Sequence, residues 1–212
     1  MSAITTIKTR RSVREWEQRV AVPREVSDEL VDCARSAPSS KNAQPWCLHV
    51  VVAWELLDSI ALALDTAQGG DAYTPVDPAA GKAWGTYAST VRESASVLRS
   101  ASLCVFVENL GVFSRSRQVV AAALPEVRED AILGLELEMI GIGAAVENTW
   151  LAAIELGLSG VFMGDVMVAE SFIKSALNFS GDLVGALALG PAAASDAPPK
   201  PLVAGRVVHW DK

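Results

Sequence analysis

The sequence predicts one two-layer domain, helices packed on a small sheet of buried strands, and three observations carry that reading. Continuous apolar runs at 47–53, 103–107 and 183–189 suit strands buried on both faces. Between them lie stretches with apolar residues at helical spacing, of which Val26, Leu30, Val31, Ala34 and Ala37 form the clearest set. The third observation is 126–156, one long helical stretch with apolar residues on almost every face. With 212 residues and no internal repeat, a single domain spanning 1–212 is expected, with room for a full core.

Taken in order, residues 2–11 mix small, polar and apolar side chains and read as a first helix. They run into Lys8-Thr9-Arg10-Arg11-Ser12-Val13-Arg14, four bases in seven residues with no acid among them. Arginine forks hold phosphate or carboxylate oxygens bidentately, and a serine hydroxyl adds a further hydrogen bond. A phosphate monoester fits that cluster; so, equally, does a solvated basic face or a helix C-terminus whose dipole favours cations. Pro23 then opens a surface helix with Glu25, Asp28, Glu29 and Asp32 on its outer side. Next comes Ala37-Pro38-Ser39-Ser40-Lys41-Asn42-Ala43-Gln44-Pro45-Trp46. Its prolines stiffen both ends, and its hydroxyls and carboxamides can meet the polar edge of a flat ligand. By itself it is an ordinary helix-to-strand connection.

The strand at 47–53 carries His49, which reads as a satisfied core residue rather than a ligand. Residues 54–64 and 88–99 read as helices, 68–80 as a long loop, and 108–116 as irregular. Trp84 and Tyr87 are core residues or the wall of a cleft. In the long helix, Ile132, Leu133, Leu137, Ile140, Val146 and Ile154 point all round the axis, so it should be buried all round. The sheet can cover one side; a second subunit is the economical cover for the other. Gly141, Gly143, Ala144 and Ala145 permit close helix approach, and Gly141 or Gly143 is where the helix could break. The spacing Gly141-x-Gly143 is not a dinucleotide fingerprint, because Val146 stands where the third glycine belongs and the stretch lies inside a helix. Residues 157–165 make a short strand or turn in which Gly164 lets backbone approach a ligand. A short helix at 169–177, the strand at 183–189, a Pro/Ala-rich arm at 191–201 and a last strand at 206–210 follow.

Composition narrows the function. Mean hydropathy is +0.28, high for a soluble chain, yet no apolar run reaches the ~18–20 residues of a membrane span. The surplus apolar surface is therefore assigned to an oligomer interface, with a homodimer the commonest form. No secretory signal is expected, since no apolar stretch follows Lys8, Arg10 and Arg11, and the location is read as cytoplasmic. The net charge of −7 argues against a nucleic-acid surface. It also makes the basic run conspicuous: residues 1–50 hold eight bases and six acids, the remainder ten and nineteen. Cys33, Cys47 and Cys104 read as buried, reduced thiols rather than a disulfide frame or zinc site. With His49 and His209 the sole histidines, neither a multi-histidine metal site nor a histidine-based triad is expected.

Three pieces line up in order: Arg10-Arg11-Ser12-Val13-Arg14; then Ala37-Pro38-Ser39-Ser40-x-Asn42-x-Gln44-Pro45-Trp46; then Gly143-Ala144-Ala145-Val146-Glu147-Asn148-Thr149-Trp150 running into Leu156-Gly157-Leu158. Together they resemble the nitroreductase family of FMN-dependent NAD(P)H oxidoreductases. The resemblance implies an α+β fold, with a central mixed, mainly antiparallel β-sheet wrapped by helices. It also implies a domain-intertwined homodimer with FMN at the subunit interface. By position, Arg10, Arg11, Ser12 and Arg14 would hold the phosphate and the polar edge of the ring. Pro38, Ser39, Ser40 and Asn42 would reach the flavin from the partner subunit. Backbone around Phe162, Met163 and Gly164 would approach the ring, and Lys200 would offer the phosphate a contact from the C-terminal arm. Two departures stand out: Gly164-Asp165 replaces the Glu-Gly pair of many relatives, and Lys200 is the one base before Leu202 where relatives often have two.

The resemblance further implies ping-pong chemistry, in which FMN takes hydride from NADH or NADPH and passes it to a small-molecule acceptor such as a nitroaromatic or quinone. No dedicated catalytic side chain is assigned, since a flavin carries the chemistry itself. The alternatives are a flavin-dependent oxidase or dehydrogenase tailoring a biosynthetic intermediate, and a flavin-binding or storage protein without turnover.

Overall fold

The computed structural model describes residues 2–70, 73–83 and 89–193. The architecture is α+β. In chain order the elements are α1 (Ala3–Thr9), α2 (Arg24–Arg35), β1 (Trp46–Val51), α3 (Trp54–Thr66), β2 (Val76–Asp77), β3 (Lys82–Ala83) and α4 (Val91–Ser100), then β4 (Leu103–Asn109), α5 (Arg117–Ala121), α6 (Arg128–Glu155), β5 (Leu158–Met163), α7 (Glu170–Leu177) and β6 (Asp182–Pro191). Among the described residues four strands form the main sheet in the order β1-β4-β6-β5, each pair antiparallel. Among the described residues the one parallel pairing is an isolated bridge, Ser12 to Gly160.

The sheet explains the continuous apolar runs. Alternate residues of a strand face opposite sides, and both sides here are covered. Val51, Cys104, Phe106, Val161, Met163, Ala186 and Ala188 pack beneath α3, α4 and α7. Leu103, Val105, Leu187 and Leu189 face the other way, onto Leu30 of α2 and Trp150 and Ala153 of α6. Central strand β4 is consequently buried at all seven positions. The 68–80 region is less irregular than expected. It leads into the small hairpin β2–β3, and Asp77 Oδ1 accepts the backbone N–H groups of Ala79 and Ala80 in the turn.

Helix α6 runs 28 residues without a break. Gly141 does not weaken it; it makes room. A Cβ there would stand 3.1 Å from the Cβ of Ser39 and 3.4 Å from the Trp46 ring, so the glycine lets the 37–46 loop close onto the helix within one chain. Gly143 faces open space. The expectation of burial all round is not met by one chain, which leaves Ile132, Leu133 and Ile140 exposed on α6, Ile140 at 71%. Glu138, fully buried, ties α6 to the end of β4. Its carboxylate accepts from Asn109 Nδ2 at 2.9 Å, Phe113 N at 2.6 Å, Ser114 N at 2.9 Å and Ser114 Oγ at 2.5 Å. Among the described residues no helix is long and apolar enough to cross a membrane.

All three cysteines are free thiols, as expected, but two of them depart from the expected burial. Cys104 is buried, and burial pushes its thiol above the ordinary range. Cys33 and Cys47 are only half-buried.

Candidate functional site

After α1 the chain leaves the helix at Arg10 and runs beside the edge strand β5. Val13 N–H donates to Gly160 O at 2.9 Å, next to the Ser12–Gly160 bridge. That short pairing delivers Arg14 to the C-terminal end of β5. There Arg14, Phe162, Met163 and Gly164 line one cavity of about 360 Å³, with Tyr73, Thr90 and Ser94 also on its wall. A Cβ on Gly164 would meet nothing within 4 Å, so its missing side chain leaves open room on the cavity floor. Arg14 is half-exposed and lies 3.6 Å from an equally exposed Glu93. Such a pair holds its partners loosely and leaves the guanidinium able to take another anion.

The basic run is divided between two places. Arg10 turns inward, with its guanidinium 4.0 Å above the Trp150 ring and Nε donating to Glu147 Oε1 at 3.2 Å. Its Nη1 is buried and has no hydrogen-bond partner among the described residues. Arg10 and Arg11 line a second hollow of about 270 Å³ beside Ser159 and Ala192. Arg11 Nη1 donates to the carbonyls of Lys8 and Arg10, which caps the end of α1.

The 37–46 loop lines neither hollow of its own chain. It contains a single 3₁₀ turn, Ser40–Asn42, with Lys41, Asn42 and Gln44 all at positive φ (51°, 54° and 44°). Left-handed backbone disfavours residues other than glycine and persists where the surroundings impose it. Ser39 Oγ accepts from Gln44 N at 3.0 Å, and Asn42 Oδ1 accepts from Gln44 Nε2 at 3.2 Å. Ser40 and Asn42 remain at the surface or half-buried, and Pro38 is exposed. Lys200, Trp84, Tyr87 and the strand read at 206–210 lie outside the described residues.

Sequence reasoning missed Asp165. It is buried at the cavity wall and accepts from Thr90 Oγ1 at 2.5 Å and Ser94 Oγ at 2.6 Å, locking the start of α4 to the end of β5. The substituted Gly164-Asp165 pair was the available signal; the two hydroxyls that meet it lie more than seventy residues upstream.

With this geometry in place, comparison with known proteins is informative. The family model described as "Nitroreductase family" matches residues 7–191. A curated protein of Methanothermobacter thermautotrophicus, provisionally named NADH dehydrogenase/NAD(P)H nitroreductase, is 40% identical over 60 residues. That alignment takes in 28% of this chain and 31% of that protein, so the chain spans under a third of this relative. Among solved structures, a BluB-like flavoprotein from Clostridium difficile 630 aligns over 100% of both chains, with 25% identity and a TM-score of 0.76. The NADPH:FMN oxidoreductase of Vibrio harveyi, solved with NAD+, shares 19% identity at a TM-score of 0.68, covering 99% of this chain and 77% of its own.

Proposed function

The chain belongs to the nitroreductase family, and on that premise we propose that it is an FMN-dependent oxidoreductase. It would work by ping-pong transfer from NADH or NADPH to a nitroaromatic, quinone or similar small-molecule acceptor. The observation that carries this reading is the cavity at the end of β5, with open room above Gly164 and a cation, Arg14, on its wall. Two further features fit FMN. Buried Arg10 Nη1 lacks an acceptor among the described residues, which a phosphate oxygen would supply, and Val97, Val161, Phe162 and Met163 give the cavity apolar wall for a ring system.

Bound there, FMN would supply the hydride chemistry. The chain's own residues bind and orient. Arg10, Arg11 and Ser12 hold phosphate and polar edge. Arg14 sets a positive charge where it favours an anionic ring, and Phe162, Met163 and Gly164 supply the floor. Pro38, Ser39, Ser40 and Asn42 serve the partner subunit's site, which accounts for a constrained polar loop that lines neither of the two hollows described above. Lys200 adds a phosphate contact. The exposed Ile132, Leu133 and Ile140 of α6, with Ile4 and Ile7 of α1 at 66% and 55% exposure, support a homodimer as the cover for these apolar faces.

The test is the visible spectrum of the purified protein. Wild type should carry flavin, bleach on addition of NADH or NADPH without oxygen, and recolour with a quinone. Gly164→Val, which fills the open room, should bind at least about tenfold less flavin while melting normally without it. A colourless wild type that takes up no added FMN, or unchanged flavin content in Gly164→Val, defeats the proposal.

A further inference from the structure

A second constellation lies on β1 and β4. Cys47 and His49 are alternate residues of β1 and share a face; Glu108 stands directly opposite Cys47 on β4. This face also carries Val51 and Phe106 and is turned away from α6. One ligand atom from each of Cys47, His49 and Glu108 lies within 4.8 Å of the other two. His49 Nε2 is 2.8 Å from Glu108 Oε2, and the imidazole stacks on Phe179 at 4.1 Å. The other oxygen, Glu108 Oε1, is saturated by Ser180 N at 2.6 Å, Ser180 Oγ at 2.9 Å and Gly181 N. Glu108 is buried, whereas Cys47 and His49 are half-buried and open to solvent.

We propose that Cys47, His49 and Glu108 form a three-ligand site for a divalent transition-metal ion of the zinc type, with water in the fourth position. The ligand set is one sulfur, one imidazole nitrogen and one carboxylate oxygen. That mixture suits zinc and is poor for magnesium or calcium, which take oxygen donors. Charge balances: a thiolate and a carboxylate neutralise the dication, and the imidazole binds neutral through Nε2 with its proton on Nδ1. On binding, the nitrogen–oxygen pair at 2.8 Å opens slightly, and the sulfur, within 4.8 Å of both partners, draws in. Around a tetrahedral zinc the nitrogen–oxygen separation would be about 3.3 Å and the sulfur–nitrogen separation about 3.6 Å, from bonds near 2.0–2.3 Å. Outer contacts are in place as well: Ser180 and Gly181 aim the carboxylate, and Phe179 holds the ring plane. Burial first, then the neighbouring Glu108 charge and hydrogen bond, raise the Cys47 thiol, so in the absence of metal it stays protonated. Metal binding forms the S–metal bond and releases that proton to solvent. The site is on the opposite sheet face from α6 and stands independently of the flavin reading.

Zinc ion itself is the probe, added to the purified protein with whatever flavin it carries. Alkylation by N-ethylmaleimide is followed at each cysteine by peptide mass spectrometry. At zinc concentrations ten times the dissociation constant, Cys47 should alkylate about tenfold more slowly, while half-buried Cys33 is unaffected. Gel-filtered protein should retain one zinc per chain. His49→Gln should abolish both effects while the zinc-free protein still unfolds in one cooperative transition. The wild-type comparison of Cys47 with Cys33 needs no folded variant. Equal Cys47 rates with and without zinc, equal protection of Cys33, or protection that survives in His49→Gln would each overturn the proposal.

Discussion

Glu108 and Glu138 are two answers to one problem. Both are buried carboxylates at the C-terminal end of β4, one on each face of the sheet: Glu108 turns toward the Phe179–Gly181 turn, and Glu138 on α6 meets the next residue, Asn109. Burial works to raise the pKa of both. Hydrogen bonds outweigh it in both, so each stays below the usual carboxylate value. They differ in what completes them. All four of Glu138's partners are backbone or amide and hydroxyl donors held in place. Glu108 has one oxygen closed in the same manner, while the other meets Cys47 and His49, side chains that can exchange this partner for a metal ion. A buried, ionised carboxylate is thus not in itself a sign of function. The exchangeability of its neighbours is.

Glu138 carries the largest expected effect. Replacing it with Ala strands four donors and should lower unfolding free energy by about 3–5 kcal/mol in denaturant titrations. A loss under about 1 kcal/mol would show that Glu138 does not anchor α6. Next in size is zinc: at one hundred times its dissociation constant, the ion should stabilise wild type by about 2.7 kcal/mol, and Cys47→Ser should not respond.

Acid separates the two glutamates more finely. Because both folded pKa values lie below the ordinary 4.5, their stabilisation is fully present above that pH and fades as pH falls through the folded values. Protons compete with metal for thiolate and imidazole, so the zinc contribution should vanish at a higher pH than the Glu138 contribution. Melting curves against pH, with and without zinc, resolve the two; coincident losses would erase the distinction. The smallest effect belongs to the exposed Arg14–Glu93 pair. Glu93→Gln should change stability by under about 0.5 kcal/mol, whereas Arg14→Ala, equally mild for stability, should weaken FMN binding. Flavin titration of the two variants distinguishes a ligand-facing cation from one committed to its ion pair.

Much was legible from local pattern. The three apolar runs became β1, β4 and β6, the long apolar stretch became α6, and the basic run emerged beside β5 with Arg14 at a cavity. Periodicity and capping act between residues a few positions apart, so a sequence displays them directly. The motifs at 10–14 and 37–46 named a family for the same reason: each is a contiguous run of residues.

Tertiary structure decided everything that depends on which distant segments meet. Gly141 looked like a helix breaker or a helix–helix contact, yet its missing Cβ admits Ser39 and Trp46. His49 looked like an ordinary core residue, and Cys47 like a buried thiol. Antiparallel register set Glu108 opposite Cys47, on the face His49 shares. Asp165 drew its two hydroxyls from the start of α4, and Glu138 its donors from the end of β4 and the loop that follows it. The sequence by itself determined the elements, their buried faces and a cation-rich approach to β5. Only the packed sheet decided which polar groups left water together, because pairing them depends on register and on helix docking, neither of which is a property of neighbouring residues.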